Sequence, residues 1–445
     1  MAINPSIFKA YDIRGIYPND LNEETAAAIG FALTKMLKAE KIIVGRDMRL
    51  SGEKIFNALT QGITNAGAEV INIGLVPTDA AYFASGVFNL PAVMITASHN
   101  PAEWIGFKIT RSGAIPFGED DIKKLKEKSV LKPLGNAPAA KEKITTYDIV
   151  PEYLNNALSF IDKNKIKPLK IAADAGNGMA GKFIPLLYNG LPCSLIPLYF
   201  ELDGSFPNHP ASPIEYKNLI DLQKKIKEEK ADFGMAFDGD ADRVFFIDEN
   251  SAIINGSIIA AIIAEYFLEK HKGEKIIYDL RCSHVVPEII VKNGGQAIIS
   301  RVGHSFIKKT MRETGAIFGG EFSGHYYYRD NFCADSAMIT ALIITQIISE
   351  ANMPLSSLVK NYLKYWQIEE TNSSIDDKDA VIKNLKEKYK DGKITELDGM
   401  TVEYDDWWFN VRPSNTEPVL RLNLEAKTKE LIENKNVELL KIIRS

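Results

Sequence analysis

Three carboxylates at alternating positions, Asp238, Asp240 and Asp242, stand in the run Asp238-Gly239-Asp240-Ala241-Asp242-Arg243. Unpaired, such charges repel one another, and a hard divalent cation with its preference for oxygen ligands is their natural neutraliser. An EF-hand would also begin this way, with Glu249 at its twelfth position. That loop needs Gly where Arg243 stands, and it needs helices where the flanks GMAF and VFFI read as strands. Three carboxylates that leave coordination positions open suit a Mg²⁺ shared with a substrate phosphate, and the plain alternative is a solvated acidic turn.

Four further loops carry chemistry. Thr96-Ala97-Ser98-His99-Asn100-Pro101 puts a hydroxyl beside an imidazole at the mouth of a strand, where α/β sheets gather ligands. Ser98 is a candidate nucleophile or phosphate carrier, although Ser, Asn and Pro also make ordinary turns. In Gly319-Gly320-Glu321-Phe322-Ser323-Gly324-His325, a spacing of two puts Glu321, Ser323 and His325 on one side of an extended loop. Polyol recognition needs that arrangement, and a hairpin turn produces it equally. Arg412-Pro413-Ser414-Asn415-Thr416-Glu417-Pro418 gathers a guanidinium, hydroxyls and an amide, which suits phosphate unless it is a Pro-bounded surface turn. Finally, Gly176-Asn177-Gly178-Met179-Ala180-Gly181 follows a strand, with Glu201 closing the next apolar run, in the outline of a dinucleotide fingerprint. It makes an NAD-dependent dehydrogenase a competitor, but Asp174 just before the first Gly would repel a pyrophosphate and favours a tight strand-to-helix turn.

The elements that position these loops are short β-branched runs alternating with amphipathic stretches. IIVG at 42–45, EVINIG at 69–74, AVMIT at 92–96, KIAAD at 170–174, GMAFD at 234–238, KIIYD at 275–279 and QAIIS at 296–300 read as strands. Glu24–Lys38 and Leu219–Lys230 read as helices between them, so the class is α/β with mixed or largely parallel sheets. Composition shifts place domain breaks after residues 148, 252 and 368, giving 1–148, 149–252, 253–368 and 369–445. AVMITASHNPAEWIGFKIT, FGMAFDGDADRVFFID and AIFGGEFSGHYYYRD share one plan, an apolar run, a polar loop and a second apolar or aromatic strand. Ser98, Asp240 and Ser323 within them lie 142 and 83 residues apart, so these are related domains and not a fixed-period solenoid.

Composition narrows the function classes. The 445 residues are 45% apolar and 25% charged, an ordinary globular balance that excludes disorder and collagen-like architecture. A net charge of −5 gives no support to nucleic-acid or anionic-membrane binding. Cys193, Cys282 and Cys333 are odd in number and far apart, which points to reduced thiols and a cytoplasmic protein. Neither a signal peptide nor a membrane span is expected, because the longest apolar stretch, Ala337 to Ile348, is broken by Thr and Gln.

Together and in this order, the loops resemble those of the α-D-phosphohexomutase superfamily, from FKAYDIRG to RPSNTEPVLRL. GEFSGH and Asn415 within RPSNTEP place the resemblance in the bacterial phosphomannomutase/phosphoglucomutase group, with phosphoglucosamine mutase as the near alternative. The chain has Trp104-Ile105-Gly106 where the family commonly has Tyr-Asn-Gly, and Arg281 where close relatives often have Lys. The resemblance implies three related α/β domains and a smaller C-terminal α+β domain of TATA-binding-protein-like fold, around a central cleft. It implies a phosphoserine at Ser98, Mg²⁺ on Asp238, Asp240, Asp242 and the Ser98 group, and Glu321, Ser323 and His325 on sugar hydroxyls. It also implies Arg412, Ser414, Asn415 and Thr416 on the substrate phosphate. Tyr11, Arg14, His99, Lys108, Arg243, Arg281 and His304 complete the matched set, with His304, Lys108 or Arg14 as general acid/base. The implied reaction interconverts hexose 1-phosphate and hexose 6-phosphate of mannose or glucose, through a hexose 1,6-bisphosphate that also serves as activator. A non-catalytic phosphosugar-binding protein is the non-enzymatic alternative. Partners are then small phosphosugars, with neither nucleic acid nor membrane, and the chain is a monomer or weak homo-oligomer.

Overall fold

A computed structural model describes residues 3–130, 143–414 and 419–444. Its three α/β sheets repeat one five-strand unit. In the first, the spatial order is Ile115–Pro116, Trp104–Arg111, Ala92–Ile95, Lys41–Arg46, Glu69–Leu75. In the second it is Ile253–Ile254, Val244–Asp248, Phe233–Phe237, Lys170–Asp174, Ser194–Leu198, and in the third Ala334–Asp335, Tyr326–Tyr328, Phe318–Gly320, Lys275–Asp279, Gln296–Ser300. Each time the last three strands run parallel and the first two antiparallel, so the sheets are mixed. The first sheet also gains Ile13–Ile16 against Trp104–Arg111 and Ile144–Thr146 against Glu69–Leu75.

This topology explains where the loops fall. In every unit the parallel strand that turns back into its antiparallel neighbour does so through one hairpin, and the three hairpins are 96–103, 238–243 and 321–325. Their flanking strands read as continuous apolar runs because helices cover both faces; Ala92–Ile95, Phe233–Phe237 and Val244–Asp248 are buried throughout.

The three units also share one core. Phe83 and Met94 from the first, Tyr153 and Phe183 from the second, and Ile259 and Ile343 from the third belong to a single buried cluster. Its axis is the helix Ala337–Ala351, buried from Ala337 through Ser349, which accounts for the longest apolar stretch of the sequence. Among the described residues no single helix is long and apolar enough to cross a membrane, and this helix with Leu355–Tyr362 forms a pair bent by 90°.

The C-terminal part differs. Its antiparallel sheet, in the order Trp366–Gln367, Val419–Ala426, Trp407–Pro413, Met400–Glu403, Lys393–Thr395, carries the helices Lys378–Lys388 and Lys429–Ile443. Leu385, Phe409, Leu424 and Leu439 form a core of its own.

One carboxylate ties the three α/β units together at their centre. Asp79, near the start of the helix Thr78–Phe88, accepts hydrogen bonds at Oδ2 from Tyr153 Oη and Ser336 Oγ, both at 2.6 Å. Ser336 in turn caps the helix Ala337–Ala351 by accepting from the Ile339 amide. Burial pushes the Asp79 carboxyl up to about 7, against about 3.8 for an exposed carboxyl. Folded protein therefore holds a proton that unfolded chain releases. The stability this confers is complete below pH 3.8, declines by about 1.4 kcal/mol per pH unit up to pH 7, and is constant above it. We expect urea unfolding of Asp79→Asn to lack this part of the slope between pH 5 and pH 7. Equal slopes in wild type and variant would show that Asp79 is ionised in the folded state.

Candidate active site

Ser98 opens its hairpin in the left-handed region, with φ of 52°, a conformation a non-glycine residue keeps only under constraint. Its amide donates to Thr96 Oγ1 at 2.8 Å, and its Oγ donates to Asp238 Oδ2 at 2.9 Å and lies 3.1 Å from His99 Nδ1. The constraint comes from Arg49, a residue that sequence reasoning missed. Arg49 Nη1 donates to the carbonyls of Pro101 (2.7 Å) and Trp104 (2.8 Å), and Nη2 to those of Ser98 (2.9 Å) and Asn100 (2.6 Å). One buried guanidinium thus holds four carbonyls of the Ser98 hairpin, and Phe206 of the second unit covers it with its ring at 5.2 Å. Arg14 adds an outer brace by donating to Asp12, Ala97 O and Asn100 Oδ1.

The acidic loop meets this hairpin across the boundary between the first two units. Asp238, Asp240 and Asp242 are fully buried, each with an oxygen within 4.8 Å of the others, as a shared metal ion requires. Asp238 Oδ1 accepts from the amides of Asp242 (3.2 Å) and Arg243 (3.1 Å), which folds the loop around its own first carboxylate. Asp240 Oδ2 accepts from Thr78 Oγ1 at 2.6 Å and from Lys108 Nζ at 2.7 Å, and Lys108 also donates to Asp242. Oδ1 of Asp240 and Oδ1 of Asp242 are buried without a hydrogen-bond partner. Two orphaned carboxylate oxygens beside a third carboxylate fit a hard divalent cation. Burial, then Asp242 and Asp240, push the Asp238 carboxyl well above the carboxylate range. Burial alone would lower Lys108, but Asp240 and Asp242 outweigh it and hold the ammonium above its ordinary value.

The third hairpin supplies acceptors and a second cationic centre. Ser323 Oγ donates to Glu321 Oε2 at 3.1 Å, Arg281 Nη2 reaches both side chains at 3.2 and 3.3 Å, and Tyr327 Oη donates to Glu321 Oε1. Against its burial, His325 and Arg281 hold the Glu321 carboxyl down at about 2. Arg281 is itself gripped by Asp279 through Nε and Nη2. His325 joins this hairpin to the acidic loop: Arg243 Nε donates to its Nε2 at 3.0 Å, and Asp242 Oδ1 lies 3.3 Å away.

His304 begins the helix His304–Thr314, half-buried with its ring against that of Tyr11, centroids 4.7 Å apart. Both of its nitrogens lack a partner, and burial, then Lys308 and Lys108, hold its pKa well below the usual imidazole value. His99 is likewise pushed well below that value by burial, Arg243 and Arg14. It therefore stands neutral beside Ser98.

In the C-terminal sheet, Arg412 and Arg421 face each other across the strand pair Trp407–Pro413 and Val419–Ala426, and the Ser414 amide donates to Val419 O. Asn415 and Thr416 lie outside the described residues. Sequence reasoning missed Glu370, whose carboxylate accepts from Arg412, Arg421 and Asn423.

The glycine-rich run has a structural use. A Cβ on Gly178 would stand 2.7 Å from Gly239 O, and one on Gly239 would stand 2.6 Å from Ser98 O. Met179, at the start of the helix Ala180–Tyr188, donates its amide to Gly239 O at 2.9 Å. The helix start that a dinucleotide phosphate would need is occupied by the acidic loop, so these glycines serve to stack Ser98, Gly239 and Gly178 backbones together.

Four family models match consecutive parts of the chain: phosphoglucomutase/phosphomannomutase alpha/beta/alpha domain I at residues 5–130, domain II at 151–252, domain III at 255–365 and the C-terminal domain at 370–442. A phosphomannomutase of Escherichia coli is 37% identical over 97% of both chains. A phosphomannomutase/phosphoglucomutase of Pseudomonas aeruginosa is 38% identical over 96% of this chain and 93% of its own. A crystal structure of a phosphoglucomutase/phosphomannomutase family protein from Burkholderia thailandensis superposes with a TM-score of 0.89 at 32% identity, covering 99% of this chain and 97% of that one.

Arg49→Met leaves one buried and three partly buried carbonyls without their donor, which we expect to cost about 2–4 kcal/mol of stability. Amide hydrogen exchange should localise the loss of protection to residues 97–104. Uniform loss across the first sheet, with the hairpin no worse than its neighbours, would refute a specific hold on Ser98.

Proposed function

The chain belongs to the phosphoglucomutase/phosphomannomutase family, and from that premise we propose that Ser98 carries the phosphoryl group exchanged with a hexose phosphate. The enzyme is a phosphohexomutase that interconverts hexose 1-phosphate and hexose 6-phosphate, of mannose or glucose. The observation that carries the assignment is the Ser98 Oγ to Asp238 Oδ2 contact of 2.9 Å, which sets the Ser98 hydroxyl at the edge of the aspartate cluster.

With a phosphoryl group on Ser98, the free hydroxyl of the bound sugar monophosphate attacks phosphorus. A new P–O bond forms to the sugar, the P–O bond to Ser98 breaks, and the hydroxyl proton passes to a base while Ser98 regains one. The product is a hexose 1,6-bisphosphate. It reverses in the cleft and returns its other phosphate to Ser98, so a trace of added bisphosphate activates dephosphorylated enzyme. Such transfer is governed by positioning and charge stabilisation. Mg²⁺ held by Asp238, Asp240, Asp242 and the Ser98 group supplies charge neutralisation for the moving phosphoryl oxygens. Lys108 and Arg243 add fixed positive charge at the same place.

The three candidate bases differ in what the protein does to them. Lys108 is held protonated by Asp240 and Asp242, and Arg14 is held protonated by Asp12. His304 is kept neutral and has both nitrogens unpaired, so it takes the proton from the attacking hydroxyl and returns it in the reverse step. The Tyr11 ring against its edge sets its orientation. Neutral His99 meets the Ser98 oxygen from the other side. Ionised Glu321 with Ser323 and His325 accepts neighbouring sugar hydroxyls, and Arg412 and Ser414, with Asn415 and Thr416 of the same loop, take the phosphate remote from the reaction. Binding there orients the sugar for transfer. The three free thiols accord with a cytoplasmic enzyme.

Ser98→Ala should lose about a thousandfold or more of mutase turnover with an unchanged thermal transition. Phosphopeptide mapping of active wild type should find its phosphate on Ser98, and a phosphate mapped elsewhere would overturn the assignment. Removal of divalent metal by chelation should abolish turnover without unfolding, with recovery on adding Mg²⁺. Full activity in protein shown metal-free by elemental analysis would remove the aspartates from that role.

A further inference from the structure

The phosphate-binding end of the cleft already holds an anion of the protein's own. Glu370 lies between the strands Trp366–Gln367 and Thr371–Ser374, both of which pair with Val419–Ala426 in the C-terminal sheet. Its Oε2 accepts from Arg412 Nη2 at 2.9 Å and Asn423 Nδ2 at 3.0 Å, and its Oε1 accepts from Arg421 Nη1 at 3.2 Å. Arg281 Nη1 approaches from the third unit to 3.9 Å. Three guanidiniums, Arg281, Arg412 and Arg421, thus surround one carboxylate, whose pKa they hold at about 2 against the opposing effect of burial.

We propose that Glu370 is the internal counter-ion that takes the place of the substrate's phosphate between binding events and competes with it during turnover. The proposal rests on the reading of Arg412 as a phosphate ligand. A carboxylate and a phosphate present the same kind of oxygen pair to a guanidinium fork, so Arg412 and Arg421 can trade one for the other. The side chain of Arg412 is only 4% exposed, and, unlike Arg281, which Asp279 already neutralises, a guanidinium so buried cannot be left without counter-charge when phosphate departs. The chemistry needs such departures, because a bisphosphate that must reverse end for end has to release each phosphate once per cycle. A tethered carboxylate makes release an exchange of anions instead of a bare separation of charge, and it lowers the net affinity for phosphate by the strength of the contacts it must give up.

The test uses full-length enzyme with Ser98 phosphorylated, so that the opposite end of the cleft carries its own phosphate. Inorganic phosphate is titrated calorimetrically into wild type, Glu370→Gln, Glu370→Asp and Arg412→Ala. Glu370→Gln keeps size and one acceptor but removes the charge. It should bind phosphate about three- to tenfold more tightly than wild type, and its turnover at saturating hexose phosphate should fall as release slows. Glu370→Asp, which restores the charge, should return phosphate affinity to near the wild-type value. A merely structural Glu370 predicts the opposite sign, weaker phosphate binding in Glu370→Gln with a raised KM. Unchanged or weaker binding in Glu370→Gln, while Arg412→Ala still loses it, would overturn the counter-ion and leave the phosphate site standing. Phosphate affinity unaffected by Arg412→Ala would show that the phosphate site itself lies elsewhere, and the proposal would fall with it.

Discussion

Charge compensation out of water is the constraint on which the rest of this structure depends. Asp238, Asp240 and Asp242 are buried on a single loop, and three carboxylates cannot leave water together unless opposite charge comes to meet them. That charge is contributed by Arg243 at the end of the same loop and by Lys108 from the first unit, and His325 of the third unit meets Arg243 in turn. The domains are therefore bound to one another by the requirements of the site as well as by the shared apolar core. Thr78, Tyr153 and Ser336 extend the same logic to neutral hydrogen bonds, each placed where two units meet around an aspartate.

The repeated five-strand unit turns this constraint into a catalytic arrangement. The same hairpin occurs three times, once with a hydroxyl beside an imidazole, once with three carboxylates and once with a carboxylate, a hydroxyl and an imidazole. Because all three units share one buried cluster around the helix Ala337–Ala351, their hairpins converge without any long loop to carry them. Rigid strands set the geometry, and only a few residues at each turn need to differ.

The parts of this design that were legible in the sequence are those with local patterns. Apolar strands bounded by polar loops revealed the three hairpins, whereas Glu321, Ser323 and His325 come within reach of one another through a tight turn, closed by the Gly324 amide on Glu321 O, and not through the alternation of an extended loop. Arg49, Asp79 and Glu370 escaped notice for a common reason. Their partners are backbone carbonyls or side chains far along the chain, up to 257 residues away for Asp79 and Ser336, and neither leaves a mark on the residue's own neighbourhood. The run Gly176 to Gly181 was ambiguous for a related reason: glycine permits close approach, and the sequence does not say whether a pyrophosphate or the carbonyl of Gly239 approaches.

The separation of the C-terminal core from the core shared by the other three units has a mechanical consequence. Among the described residues no buried apolar cluster spans that boundary, and the contacts that cross it are mostly polar: Asn255 to Gln367, the His284 amide to Glu425, the Val302 amide to Asp398 and the arginines around Glu370, with the His284 ring stacked on Trp408. Polar contacts of this kind can be exchanged for water one at a time, so the boundary yields gradually under load where a hydrophobic seam would break all at once. The three-unit body then acts as an anvil of fixed shape, and the C-terminal sheet as a clamp whose stiffness is set by ionic strength and by whichever anion its arginines hold.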